Sequence, residues 1–311
     1  MKTKRYAFLS AALSLAIFIG LSVVVTPKTT GDMGGTSFYG GKGFVAEPDN
    51  SLDCIMFGNS DAYSGFVPSV LYEKTGLSSY VSGVANQSMD KINTLLSSAL
   101  KTQKPQIIIL EADCLYTKSS SFYGRIDAAT RLFQYHTRWK ELKRRDFTTL
   151  PKACGGIDPN KGYVYSDTVV KAENTGYMTE NKDSAVIPAA TKNELSLFVE
   201  TCKNNGVKVL IVKVPSTDGW SYKRSAEVKK TAASFGAEYL DLNACTDYEI
   251  DFNEDFRDGG NHQNINGAKK TTEYLGNILC SRYDVHPEEK TDEAKNEWLL
   301  TIKRANGAYF E

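Results

Sequence analysis

Five short apolar runs, each closed by small or polar residues and separated from the next by a helix-like stretch, set the pattern of this chain. They cover residues 54–57, 80–81, 106–110, 207–214 and 238–242. Short, mostly apolar runs bounded by turn residues are strands covered on both faces, and helices between them make neighbouring strands parallel. Helix-like stretches fall at 65–74, 89–101, 192–203, 221–235 and about 266–281. Asn204, Asn205 and Gly206 stop the third of these. The pattern predicts a three-layer α/β/α sandwich with a mainly parallel five-stranded sheet.

The N-terminus adds a different constraint. Lys2, Lys4 and Arg5 precede residues 6–25, which carry no charge; such a helix is about 30 Å long, one hydrocarbon thickness. One N-terminal transmembrane helix is therefore expected, with the short basic end cytoplasmic and the rest extracytoplasmic. A cleaved signal peptide is the alternative, but Val25, Thr26 and Pro27 offer no small-residue cleavage site. The expected location is the cell membrane, single-pass.

Four segments follow from these features: 1–25 as cytoplasmic stub and anchor, 26–50 as a Thr- and Gly-rich flexible linker, 51–283 as the α/β domain, and 284–311 as a C-terminal extension that docks on the surface or prolongs the last helix. Within the domain, 147–186 breaks the alternation and reads as an irregular insertion, with room for a small hairpin. The 311 residues carry 37 basic and 37 acidic side chains, so no basic field points to nucleic acid. The six cysteines form no C-x-x-C pair, which argues against structural zinc and for buried thiols. A bridge such as Cys154 with Cys245 stays open. Phosphate-binding glycine loops are absent from the sequence, and no cofactor is expected.

Ligands in such a sheet bind beyond the carboxyl ends of the strands. Gly58-Asn59-Ser60 follows the first run, Gly83 and Asn86 follow the second, Glu111-Ala112-Asp113 the third, and the loop from Asp255 to Asn264 lies beyond the last. A serine hydroxyl becomes nucleophilic when a base takes its proton and a third group orients that base. Of the three histidines, His262 is the one on such a loop, with Asp255 and Asp258 nearby. As a plain loop residue, His262 would precede a helix capped by Asn264 or Asn266. Gly58-Asn59-Ser60 lacks the last glycine of G-x-S-x-G and follows the first strand, so an α/β-hydrolase is disfavoured.

Gly58-Asn59-Ser60, Gly83, and Asp258-Gly-Gly-Asn-His262-Gln-Asn264-Ile-Asn-Gly267 resemble blocks I, II and V of the SGNH/GDSL hydrolase superfamily, in order along the chain. The anchor, His136-Thr-Arg-Trp139 and the closing motif further resemble the extracytoplasmic branch of teichoic-acid D-alanyl transfer and alginate O-acetylation proteins. The resemblance implies catalytic Ser60, His262 and Asp258, with Ser60, Gly83 and Asn86 around an oxyanion. Glu111, Asp113, His136 and Trp139 are candidate substrate-contact residues; the alternatives are a structural Glu111 that caps backbone amides, and His136 and Trp139 on a helix face packed against the domain. It also implies a serine esterase or O-acyltransferase acting on acetyl or D-alanyl esters of a cell-surface polysaccharide or teichoic acid. The alternative is a non-catalytic module that partners a membrane-bound O-acyltransferase. Two departures matter. Glu111-Ala112-Asp113 replaces the Gly-x-Asn-Asp of block III, and Asp258 stands four rather than three residues before His262.

Overall fold

The computed structural model describes residues 2–26, 41–117, 132, 136–140, 142–149, 157–173, 177–179, 184–217 and 219–307. Helix α1 (Lys2–Val25) is long and apolar enough to span a bilayer or to serve as a signal sequence. The sheet consists of β1 (Cys54–Gly58), β2 (Ser79–Gly83), β3 (Ile107–Glu111), β4 (Lys208–Lys213) and β5 (Glu238–Asp241). Its order is β2-β1-β3-β4-β5, and every pair is parallel.

Alternate strand residues point to opposite faces, and two cores result. Ile55, Phe57, Ile108, Leu110 and Ile211 meet α4 (Met89–Ala99), α6 (Ala189–Asn204) and α7 (Tyr222–Ser234) on one face. Met56, Ile107, Ile109, Leu210 and Val212 meet α2 (Ser60–Gly65), α3 (Pro68–Thr75) and α8 (Ile265–Ser281) on the other. The helix expected at 65–74 is thus two helices, and the first starts at Ser60. Pro68 separates them: it lacks an N–H and disfavours helical backbone at Val67, which is extended.

The connection from β3 to β4 holds a tight turn (His136–Lys140) and α5 (Arg144–Thr148) before it reaches the insertion. The described part of that insertion, 157–173, contains no hairpin. It is an irregular strap: the Lys161 carbonyl accepts from Val81 N–H on edge strand β2 at 2.9 Å, and Ser166 accepts from Ile265 N–H at 2.8 Å. The Val81 bond satisfies one of the backbone groups that the edge strand would otherwise leave open.

The flexible linker expected at 26–50 is corrected at its second half. Phe44 is fully buried edge-to-face against Tyr80, the Gly41 carbonyl accepts from Ser82 Oγ at 2.8 Å, and Glu47 takes Lys161 Nζ at 2.9 Å on both oxygens. Residues 41–50 therefore belong to the packed domain; 27–40 lie outside the described residues. The C-terminal extension docks as α9 (Asp292–Gly307), with Trp298 stacked on Tyr72 and 5.1 Å from Lys161 Nζ. Cys54, Cys114 and Cys202 are buried thiols, while Cys154 lies outside the described residues.

Candidate active site

Strand β2 follows β1 on one side and β3 follows on the other, so the chain reverses direction across the sheet at β1. In an open parallel sheet this is the point where a crevice forms outside the carboxyl ends. Asn59 bridges it. Its Oδ1 accepts from Asp61 N–H at 3.0 Å and so caps α2, while its Nδ2 donates to Asp113 Oδ2 at 2.6 Å, beyond β3. Gly58 permits this closeness, since a Cβ there would stand 2.6 Å from Glu111 Cβ and 2.8 Å from Ala62 Cβ. Ser60 then opens α2, half-buried.

Tyr63, one turn on, lies close to Ser60 and Arg257. Burial raises its pKa, against the opposing pull of Arg257, so it remains a phenol at neutral pH. Arg257 also donates from Nη2 to Ser64 Oγ at 2.9 Å, joining α2 to the loop that carries His262.

That loop is a tight reversal. Arg257 N–H donates to the His262 carbonyl at 3.0 Å, and Phe256 and Gln263 form an antiparallel bridge. Gly260 at φ 117 makes the turn, and a Cβ on it would lie 1.9 Å from Thr217 Oγ1. Asn264 caps α8, accepting from Asn266 and Gly267 N–H. Asp258 grips His262 twice: Oδ1 accepts the backbone N–H at 2.8 Å, and Oδ2 lies 2.5 Å from Nδ1. Asp255 is turned away and fully buried, with Lys270 Nζ 3.0 Å from its Oδ2. The other ring nitrogen, Nε2, faces α2 and stands 3.9 Å from Asp61 Oδ1.

Beneath the crevice lies a buried charge cluster. Lys213, at the end of β4, pairs with Asp61 Oδ2 and with Glu111 Oε1 at 3.2 Å, and its ammonium lies 5.3 Å from the Trp220 ring. Burial works to lower the Lys213 pKa, but the two carboxylates outweigh it and hold it raised. Burial pushes Glu111 up to about 8, with Lys213 offsetting part of the rise, and raises Asp61 as well. Two carboxyl groups share one cation, and Asp61 lies closer to it.

The structure thus joins Asp258 to His262 and turns Nε2 toward Asp61, the residue after Ser60; Gly83 lies close to the backbone before Ser60, since a Cβ on it would stand 3.1 Å from the Asn59 carbonyl. Asn86 is exposed on the turn after β2, at φ 53. Asp113 is half-buried and tied to Asn59. Two expected substrate contacts are corrected. Glu111 is wholly buried, accepting from Asp113 N–H at 2.9 Å as well as pairing with Lys213, so no substrate can reach it. Trp139 is exposed in the turn that begins with His136, and this turn packs on the end of α1. Sequence reading did not single out Lys213, Asp61, Tyr63 or Arg257. A lysine inside the apolar run between Val212 and Val214 was the available signal for the buried cluster. Among the described residues no group of His, Cys, Asp and Glu converges as a metal site would.

No family model and no curated protein matches the chain. Among solved structures it is similar to a protein assigned as an acylhydrolase from Bacteroides fragilis, at 12% identity and TM-score 0.41, over 79% of this chain and 94% of that one. It is similar also to a lipase/acylhydrolase from Enterococcus faecalis, at 11% identity and TM-score 0.39, over 76% and 98%. An acetyl xylan esterase, AlAXEase, matches at 11% identity and TM-score 0.38, over 73% and 98%. These identities and scores are low, and the functional reading rests on the side chains.

Proposed function

We propose that this protein is a membrane-anchored, extracytoplasmic serine esterase or O-acyltransferase acting on acyl esters of a cell-surface polymer. The observation that carries the reading is the doubly held His262, its Nδ1 on Asp258 and its Nε2 turned to the helix that begins with Ser60. In this reading Ser60 Oγ attacks the ester carbonyl while His262 Nε2 takes its proton. The tetrahedral oxyanion is met by the Ser60 and Gly83 amides, and collapse expels the alcohol, which His262 protonates. Water or a polymer hydroxyl then attacks the acyl-serine with His262 as base, so hydrolysis and transfer differ only in the acceptor. Acetyl or D-alanyl esters on a polysaccharide or teichoic acid fit the motif resemblance, as does a membrane-bound O-acyltransferase as partner. Intact-mass analysis after a fluorophosphonate probe tests the mechanism: a single adduct on Ser60, absent in Ser60→Ala, supports it, and an unlabelled wild type overturns it.

One observation favours a second reading. Glu111, at the position of the missing block III, is sealed in an ion cluster and offers the crevice no side-chain donor. A non-catalytic module that binds the polymer or an acyltransferase would keep its partner in a pull-down after Ser60→Ala and His262→Ala, and would give no probe adduct.

A further inference from the structure

The end of α1 is gripped by part of the β3–β4 connection. Arg138 Nη1 donates to the Val25 carbonyl at 2.7 Å, and Arg138 Nη2 pairs with Asp146 Oδ1 at 2.9 Å, with both side chains buried. A guanidinium on this carbonyl satisfies a group that helix ends leave open, and its charge suits the negative end of the helix dipole. Arg138 belongs to the His136–Lys140 turn and Asp146 to α5, so both short elements are clamped to the last turn of α1.

What this clamp presents to solvent is a mixture of aromatic and basic groups. Trp139 is 65% exposed and Phe147 66%. Lys140, Lys143, Arg144 and Arg145 are exposed around them, and among the described residues of 136–149 the one acid, Asp146, is buried. The position decides what covers such a surface. The apolar stretch Lys4–Val25 has 22 residues; at 1.5 Å each it spans about 33 Å, slightly more than a hydrocarbon core of about 30 Å. Val25 then lies at the hydrocarbon boundary, and whatever touches Val25 lies among the lipid headgroups. Tryptophan favours that depth, and lysine and arginine bind anionic phospholipids there.

We propose that the 136–148 clamp is a membrane-surface collar. Trp139 and Phe147 enter the headgroup layer on the domain side of the bilayer, and Lys140 and Arg144 engage anionic phospholipid phosphates. The proposal rests on the reading of α1 as a membrane span. A span with a collar holds the domain at two places, so it restricts swivelling that a single tether would allow.

The test uses the full chain in lipid nanodiscs containing anionic phospholipid. Trp220 and Trp298 are buried, so subtracting the emission of Trp139→Phe isolates Trp139. Lipids brominated near the headgroup are expected to quench that emission roughly twofold, the depth at which interfacial tryptophan resides, while aqueous acrylamide has little effect. Lys140→Gln/Arg144→Gln is expected to restore acrylamide access in anionic nanodiscs. If the chain stays embedded but Trp139 is open to acrylamide and untouched by brominated lipid, the collar is overturned and the span stands. A chain that alkaline washing strips from membranes overturns both.

Discussion

Asp61 Oδ1 lies 3.9 Å from His262 Nε2, while its other oxygen is bound to the buried Lys213. The residue after the proposed nucleophile therefore links the imidazole to an internal ion cluster, and the crevice and the core beneath it are electrostatically joined. Four predictions follow the residues outward from this contact.

Asp258, not Asp255, orients His262 in the proposed mechanism. Asp258→Asn is expected to lower kcat by about 10²–10⁴, since an amide can stabilise the wrong tautomer of the ring and does not stabilise the imidazolium. Asp255→Asn breaks the contact with Lys270 and is expected to lower the urea midpoint while changing kcat less than about tenfold. Steady-state kinetics on an acetyl ester, set beside urea melts, separate the two, and equal kcat losses would contradict the assignment.

Lys213 is the cation shared by Asp61 and Glu111. Lys213→Met keeps the volume but leaves Asp61 charged and buried without its partner, which costs about 3–5 kcal/mol in comparable sites. Equilibrium urea unfolding measures this. A variant as stable as wild type would mean that Asp61 is solvated or protonated in the native state.

Glu111 makes stability depend on pH. Its pKa rises from 4.5 unfolded to about 8 in the fold, chiefly through burial. A carboxyl with a raised folded pKa binds its proton more tightly in the native state. Its contribution is complete below the unfolded value and is lost as pH rises through the folded one. Wild type is expected to lose on the order of 3 kcal/mol between pH 5 and pH 9 that Glu111→Gln, permanently neutral, does not lose. Parallel stability curves for the two proteins across this range would refute the cluster's protonation.

Gly260 shapes the histidine loop. Gly260→Ala places a Cβ 1.9 Å from Thr217 Oγ1 at φ 117, so kcat is expected to fall at least about tenfold as His262 is displaced. Adding Thr217→Ala removes the hydroxyl clash but leaves Ala172 Cβ and the residue-217 Cβ at 3.0 Å and the backbone strain of about 1–3 kcal/mol, so the double variant should regain part of the activity. Full activity in the single variant would show that the loop does not set the position of His262.

Much of the fold was legible because it is written locally. The five buried runs and the helix stops appear in order, since strand burial and end chemistry act over a few residues. The first helix was misplaced because Asn59 capping at Ser60 and the break before Pro68 lie inside what reads as one stretch after a strand. For Trp139 the sequence leaves packing on the domain and substrate contact both open, because its neighbours in sequence say nothing of α1, more than a hundred residues earlier.

The sequence by itself determined the order of strands and helices, the apolar N-terminal helix, and the short polar ends where Ser60, Asp258 and His262 stand. Periodicity and turn chemistry need no distant partner. Only the tertiary structure decided that Asp258 rather than Asp255 meets the imidazole, that Glu111 is sealed with Lys213 instead of facing substrate, and that residues 41–50 pack on the domain through Phe44 and Glu47 rather than acting as a tether. Each of these depends on which remote side chains are buried together. A carboxylate has the same formula in a cleft and in a core, and the water and charges around it settle what it does.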